Sequence, residues 1–161
     1  MMQDEVRANE FDRWVGKLQT EKSLELGIGK SILDVGCGIG MFTPIYLQKF
    51  DRVVGLDSWE PYIKQAQKAN KKIEYILDLA ESFSLNEKFD TIVLSNLLEH
   101  VIDPIAVLIN CKKHLAKNGR IIVHVPNAES VTRRLGVLMG IIDSLEYITE
   151  KEREYYGLKR V

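Results

Sequence analysis

The chain has 161 residues, 45% hydrophobic and 28% charged, enough apolar material for one globular domain with a sizeable core. Lys and Arg total 22 against 23 Asp and Glu, a formal net charge of -1, so no global field draws the protein to nucleic acid or an anionic membrane. Two cysteines, Cys37 and Cys111, are too few for a disulfide framework; with no secretion signal and no apolar run long enough to span a bilayer, a soluble protein of the reducing cytoplasm is expected.

In residues 4–26, Phe11, Trp14, Val15 and Leu18 recur at i, i+3, i+4 and i+7 with charges between them, which predicts an amphipathic helix docked on a sheet. Arg13, on the same helix, could turn toward a ligand. Ile32, Leu33 and Val35 read as a buried parallel strand with Asp34 near its carboxyl end. Gly36, Gly38 and Gly40, with Cys37 among them, then make a turn free of side chains, where a ligand can lie against bare backbone as the next helix opens. That helix is predicted over 41–50, with Pro44 in its first turn. A dinucleotide fingerprint, G-x-G-x-x-G, needs glycine where Met41 stands, which argues against a nicotinamide cofactor.

The second strand is predicted over 51–56, DRVVGL, with Asp57 at its end. Ligands of open parallel sheets lie beyond the carboxyl ends of the strands, so Asp34 and Asp57 are expected to face one crevice. Asp57 follows the first glycine by about twenty residues, the spacing at which an acid accepts both hydroxyls of a ribose. Ser58 and Trp59 come next, Trp59 placed either against the nucleoside or in ordinary packing.

A helix over 61–70 and a third strand over 72–77, KIEYIL, lead to Asp78, with Glu81 one turn on. The fourth strand, 89–95, FDTIVLS, delivers the sequence SNLLEHVIDP. Asp103 and Pro104 read as N-cap and first residue of a helix over 104–116, stopped by Asn118 and Gly119. Lys112, Lys113, His114, Lys117 and Arg120 read as solvated charge at the end of that helix, since no aromatic residues interleave them as a nucleic-acid site requires. The fifth strand is predicted over 120–125, RIIVHV, closed by Pro126 and Asn127; alternation puts His124 on one face of a covered strand, where a satisfied core histidine is the commoner outcome, and it is left out of the catalytic set. Val131, Leu135 and Leu138 form a helical stripe, and Thr149 with Glu152 fits the capping box of a last short helix.

Two of these strings resemble one family. ILDVGCGIG resembles the first motif of the class I S-adenosylmethionine-dependent methyltransferases, and LEHVIDP resembles the fourth motif of their ubiquinone-biosynthesis-type small-molecule O-methyltransferases. N-x-x-S-x-x-R-R-L-G, from Asn127, is similar to a stretch of sugar- and lipid-linked relatives that leads into an acceptor-facing cap. The resemblance implies a Rossmann-like doubly wound α/β sheet, mainly parallel, in the order 3-2-1-4-5 with the usual terminal hairpin missing. It further implies one domain over residues 1–161: a leading helix in 1–30, a cofactor-binding core over 31–127, and a helical cap or shortened acceptor region over 128–161.

S-adenosyl-L-methionine is the implied cofactor, and transfer of its methyl to oxygen of a small-molecule acceptor the implied reaction. Gly36, Cys37 and Gly38 would admit the methionyl part, with Asp34 supporting the turn and the amine, and Asp57, Ser58 and Trp59 would meet the ribose side. Asp78, or Glu81 in its place, would accept from the adenine amino group, while Leu79 offers its amide to the ring. The carbonyls of Ser95 and Asn96 would meet the methionyl ammonium, and His100 would take the acceptor proton. Relatives with E-x-x-E-H are proposed to hold a divalent metal; Asn96 replaces the first glutamate here, so no metal is expected and the ubiquinone substrate itself is less favoured. Arg133 and Arg134 either bind an acidic acceptor or remain solvated helix charges. The lack of a terminal hairpin leaves a catalytically silent S-adenosylmethionine-binding module as the alternative, and an exposed strand-five edge that a homodimer could cover.

Overall fold

A computed structural model describes residues 10–127 and 130–140, in two compact units that part between His124 and Val125. The first carries α1 (Glu10–Leu26), β1 (Ser31–Val35), a 3-10 helix (Thr43–Gln48), β2 (Arg52–Asp57), α2 (Glu60–Ala69), β3 (Glu74–Leu77), β4 (Phe89–Ser95), α3 (Pro104–Lys113) and β5 (Leu115–His124). The described part of the second carries α4 (Val131–Leu138), on which Arg134 is exposed. Residues 4–9 of the first predicted helix and the capping box at Thr149 lie outside the described residues.

The five strands form one sheet in the order β3-β2-β1-β4-β5, and every neighbouring pair is parallel. Alternation along the strands divides the core in two. Leu33, Val35, Val54, Leu56, Ile92 and Leu94 join Val107 and Cys111 of α3 on one face, while Ile32, Val53 and Val93 join Tyr46, Phe50, Ile63 and Ala66 on the other. Strands buried on both faces explain why the sequence shows unbroken apolar runs there.

Four elements depart from the sequence reading. On α1, Trp14 and Leu18 of the stripe expected to dock on the sheet are exposed, while Thr20 and Ser23 are buried. The helix expected over 41–50 is a six-residue 3-10 helix. Its two buried residues, Thr43 and Tyr46, stand three apart, so a three-residue turn keeps both on the sheet side, and the Thr43 hydroxyl is held by Asp34. α3 stops at Lys113 because His114 turns inward. The Leu85 amide donates to His114 Nε2 at 3.1 Å, so the proton sits on Nδ1, which lies 3.0 Å from the Asn110 carbonyl; this buried ring is no solvated cap. β5 then pairs at once, with Leu115 opposite Phe89, bulges through Asn118 at φ 67°, and resumes with Arg120 opposite Thr91. Arg120 is also not part of the α3 terminus, since its guanidinium donates to the Leu26 carbonyl at the end of α1.

Candidate functional site

Parallel register brings the carboxyl ends of the strands to one edge. Val35 pairs with Leu56 and with Leu94, and Asp57 pairs with Leu77, so the residues after β1, β2, β3 and β4 emerge together. The glycine turn drapes over the end of β2: the amides of Gly36 and Cys37 both donate to the Leu56 carbonyl, at 2.7 and 3.0 Å. Gly38 donates to Asp57 Oδ2 at 2.9 Å, Trp59 donates to Oδ1 at 2.9 Å, and the Asp78 amide reaches the Asp57 carbonyl at 3.1 Å. Asp57 is therefore the junction of the turn, the start of α2 and the segment after β3.

Gly38 has φ 56°, and a Cβ there would meet nothing within 4 Å, so this backbone is open on its outer side. At Gly36 a Cβ would lie 3.0 Å from Leu97, which brings the loop after β4 up to the turn. Half-buried Cys37 has its thiol pushed well up by burial, with Asp34 and Asp57 adding to the effect, so the thiolate is disfavoured there.

Asp34 is buried, and its Oδ2 accepts from Thr43 Oγ1 at 2.7 Å. Burial pushes its carboxyl up to about 6, the Thr43 hydrogen bond works against that rise, and the Asp57 charge adds to it. Its place is under the turn, fastening β1 to the 3-10 helix.

Asp78 is half-buried and its Oδ1 accepts from the Leu79 amide at 2.8 Å, the donor expected to face a ring. Leu79 is exposed, as are Ser58 and Trp59, and Trp59 stands edge-on to Tyr62 with centroids 4.2 Å apart. Glu81 is half-buried, and Arg13 is exposed on α1.

β4 hands Ser95 and Asn96 to the loop. Asn96 takes a left-handed φ of 51°, a conformation asparagine tolerates, while its amide donates to the His124 carbonyl at 2.9 Å. Its side chain exchanges hydrogen bonds with Gln19 of α1, at 3.0 and 3.2 Å. Leu97, Leu98 and Val101 pack on the core and hold the loop down. Between them the side chain of His100 remains 36% exposed, with Nε2 3.9 Å from Glu99 Oε1.

The turn, Asp57 and Asp78 are thus joined by hydrogen bonds, and the loop bearing Asn96 and His100 touches the turn through Leu97. Ser58 and Trp59 are linked to it through chain connectivity and the Trp59 amide. Sequence reasoning missed Thr43, Gln19 and Ser23, the last 2.8 Å from Nε2 of His124, whose ring burial pushes below the usual histidine value. Helical periodicity does set Gln19 and Ser23 four apart on α1, but nothing local names their partners some eighty to a hundred residues away.

Residues 7–153 match a family model described as a methyltransferase domain. Similar curated proteins include the ubiquinone biosynthesis O-methyltransferases of Actinobacillus pleuropneumoniae serotype 7 (strain AP76) and of Haemophilus ducreyi, each 32% identical over 130 residues, covering 74% of this chain and 53% of theirs. The chain therefore spans about half the length of the curated relatives it matches. Among solved structures, the N-methyltransferase NodS of Bradyrhizobium japonicum WM9, in complex with S-adenosyl-L-homocysteine, is 26% identical with a TM-score of 0.65, over 73% of this chain and 63% of that one. The plantazolicin methyltransferase BpumL is also 26% identical, with a TM-score of 0.64 over 94% of this chain and 57% of its own. Among the described residues no helix is long and apolar enough to cross a membrane.

Proposed function

We propose that this chain, which belongs to the class I S-adenosylmethionine-dependent methyltransferases, binds S-adenosylmethionine and passes its methyl group to an oxygen of a small-molecule acceptor. The observation that carries the reading is the bond from the Gly38 amide to Asp57 Oδ2, 2.9 Å, at a turn whose Gly38 backbone is open. Bare backbone beside a strand-end carboxylate suits an extended nucleoside with a charged tail. The relatives named for O-methylation support an oxygen acceptor.

When bound, the sulfonium supplies an electrophilic methyl, so the protein needs no covalent intermediate of its own. Gly36, Cys37 and Gly38 leave room for the methionyl portion, and Asp34 keeps the turn in place through Thr43. An ionised carboxylate has about four acceptor positions, so Asp57 keeps its two amide bonds and still accepts both ribose hydroxyls, with Ser58 and Trp59 beside it. Asp78 accepts from the adenine amino group, and the Leu79 amide exchanges its bond to Asp78 for one to the ring. The carbonyls of Ser95 and Asn96 face the ammonium. His100 accepts the proton of the acceptor hydroxyl while the loop holds acceptor and methyl in line.

The test pairs calorimetric titration of S-adenosylhomocysteine with methyl turnover on pooled phenols and sugars. The parent is expected to bind and turn over, and His100→Ala to bind within about threefold of the parent while losing at least about 100-fold in turnover. Binding without turnover on any pool would identify a silent module, and turnover by His100→Ala at the parent rate would remove the base assignment.

A further inference from the structure

Both carboxylate oxygens of Glu99 are closed to water and have no hydrogen-bond partner among the described residues. A buried carboxylate in that condition is costly, and it persists where something gains from its charge or its acceptor capacity. Glu99 Oε1 is paired with the ring nitrogen Nε2 of the next residue, His100, at 3.9 Å. The loop geometry holds this pair in place. The His100 amide closes a turn onto the Leu97 carbonyl at 2.9 Å, and Leu97, Leu98 and Val101 bury themselves on either side, which leaves the Glu99 carboxylate inside and the imidazole at the surface.

The geometry points to Glu99 as a positioning residue for His100: its carboxylate takes the Nε2–H of the neutral ring and so fixes the tautomer in which Nδ1 receives the acceptor proton. At 3.9 Å the contact is longer than a hydrogen bond, so the proposal requires the imidazole to turn toward Glu99 Oε1 in the ligand-free protein in solution. In the reaction the acceptor O–H bond breaks and its proton goes to Nδ1, while the oxygen pair forms the new bond to the methyl. The S–CH3 bond breaks with its pair left on sulfur, and the positive charge that leaves the sulfonium appears on the imidazolium, facing the Glu99 carboxylate. The catalytic part rests on the methyl-transfer reading; the contact and the tautomer do not.

Imidazole nitrogen shifts separate the two, read by NMR on ligand-free protein labelled with 15N-histidine. His100 is expected mainly as the Nε2–H tautomer in the parent. Glu99→Gln keeps an acceptor oxygen and should retain that preference in part, whereas Glu99→Leu should abolish it. With catechol as the probe acceptor, Glu99→Leu is expected to lose at least about 100-fold in kcat, with KM and S-adenosylhomocysteine affinity held within about threefold. An Nδ1–H tautomer in the parent, or a tautomer ratio unchanged in a folded Glu99→Leu, overturns the assignment whatever the turnover. Absence of turnover in the parent itself would count against the methyl-transfer reading and leave the tautomer to decide the contact.

Discussion

At the scale of single residues, Asp34 and Asp57 divide labour through their surroundings. Asp57, half-exposed, accepts from two backbone amides and keeps capacity for hydroxyl donors, while buried Asp34 has one hydroxyl partner and a carboxyl pushed up to about 6. A group raised in the folded state stabilises the fold below its unfolded pKa, and that contribution is lost as pH rises through the folded value. The rise from 3.8 to about 6 corresponds to about 3 kcal/mol between pH 4 and pH 7. Asp34→Asn, neutral at every pH and still able to accept from Thr43, should therefore match the parent near pH 4 in urea unfolding and exceed it by about that amount above pH 7. A stability difference that does not vary with pH would refute this account of Asp34. The spacing from Gly36 to Asp57 was legible because a strand, a helical segment and a second strand fix it. The inward turn of His114 was not legible, because it depends on the Leu85 amide, an acceptor requirement that no local pattern records.

Among the elements, the glycine turn separates what the fold needs from what a ligand needs. A Cβ on Gly40, at φ 69°, would lie 2.7 Å from the Tyr75 hydroxyl and 2.9 Å from the Ala66 side chain, whereas one on Gly38 would meet nothing. Gly40→Ala should cost about 2–4 kcal/mol in urea unfolding, from left-handed strain and crowding together. Gly38→Ala should cost only about 1–2 kcal/mol, the strain alone, yet abolish measurable S-adenosylhomocysteine binding. Equal stability losses with binding retained at Gly38→Ala would mean the open backbone is not where the ligand lies. β4 follows the sequence reading residue for residue because Phe89 and the run Ile92, Val93 and Leu94 stand between clear polar breaks. The 3-10 helix and the bulge of β5 escaped that reading because tertiary partners set them: Asp34 through Thr43 in one case, and pairing to Phe89 and Thr91 in the other.

Across the whole molecule, parallel order assembles the candidate site. Because β1, β2, β3 and β4 all end at the same edge, four short segments with no sequence contiguity supply an amide-lined turn, a carboxylate junction, a second carboxylate and a loop bearing an imidazole. The polar pairs Gln19 with Asn96 and Ser23 with His124 fasten α1 to the carboxyl ends of β4 and β5. A ligand that binds only this assembled edge must stabilise the fold by mass action. The most direct test is calorimetric titration of S-adenosylhomocysteine into the parent and into Asp57→Ala, with thermal unfolding of both proteins alone as the control. Loss of two charge-assisted hydrogen bonds to the ribose, each worth about 1.5–3 kcal/mol, predicts binding at least about 100-fold weaker in a variant that still unfolds cooperatively, at a lower temperature than the parent because the Gly38 and Trp59 amides lose their acceptor. Asp57→Ala binding as tightly as the parent would contradict the account.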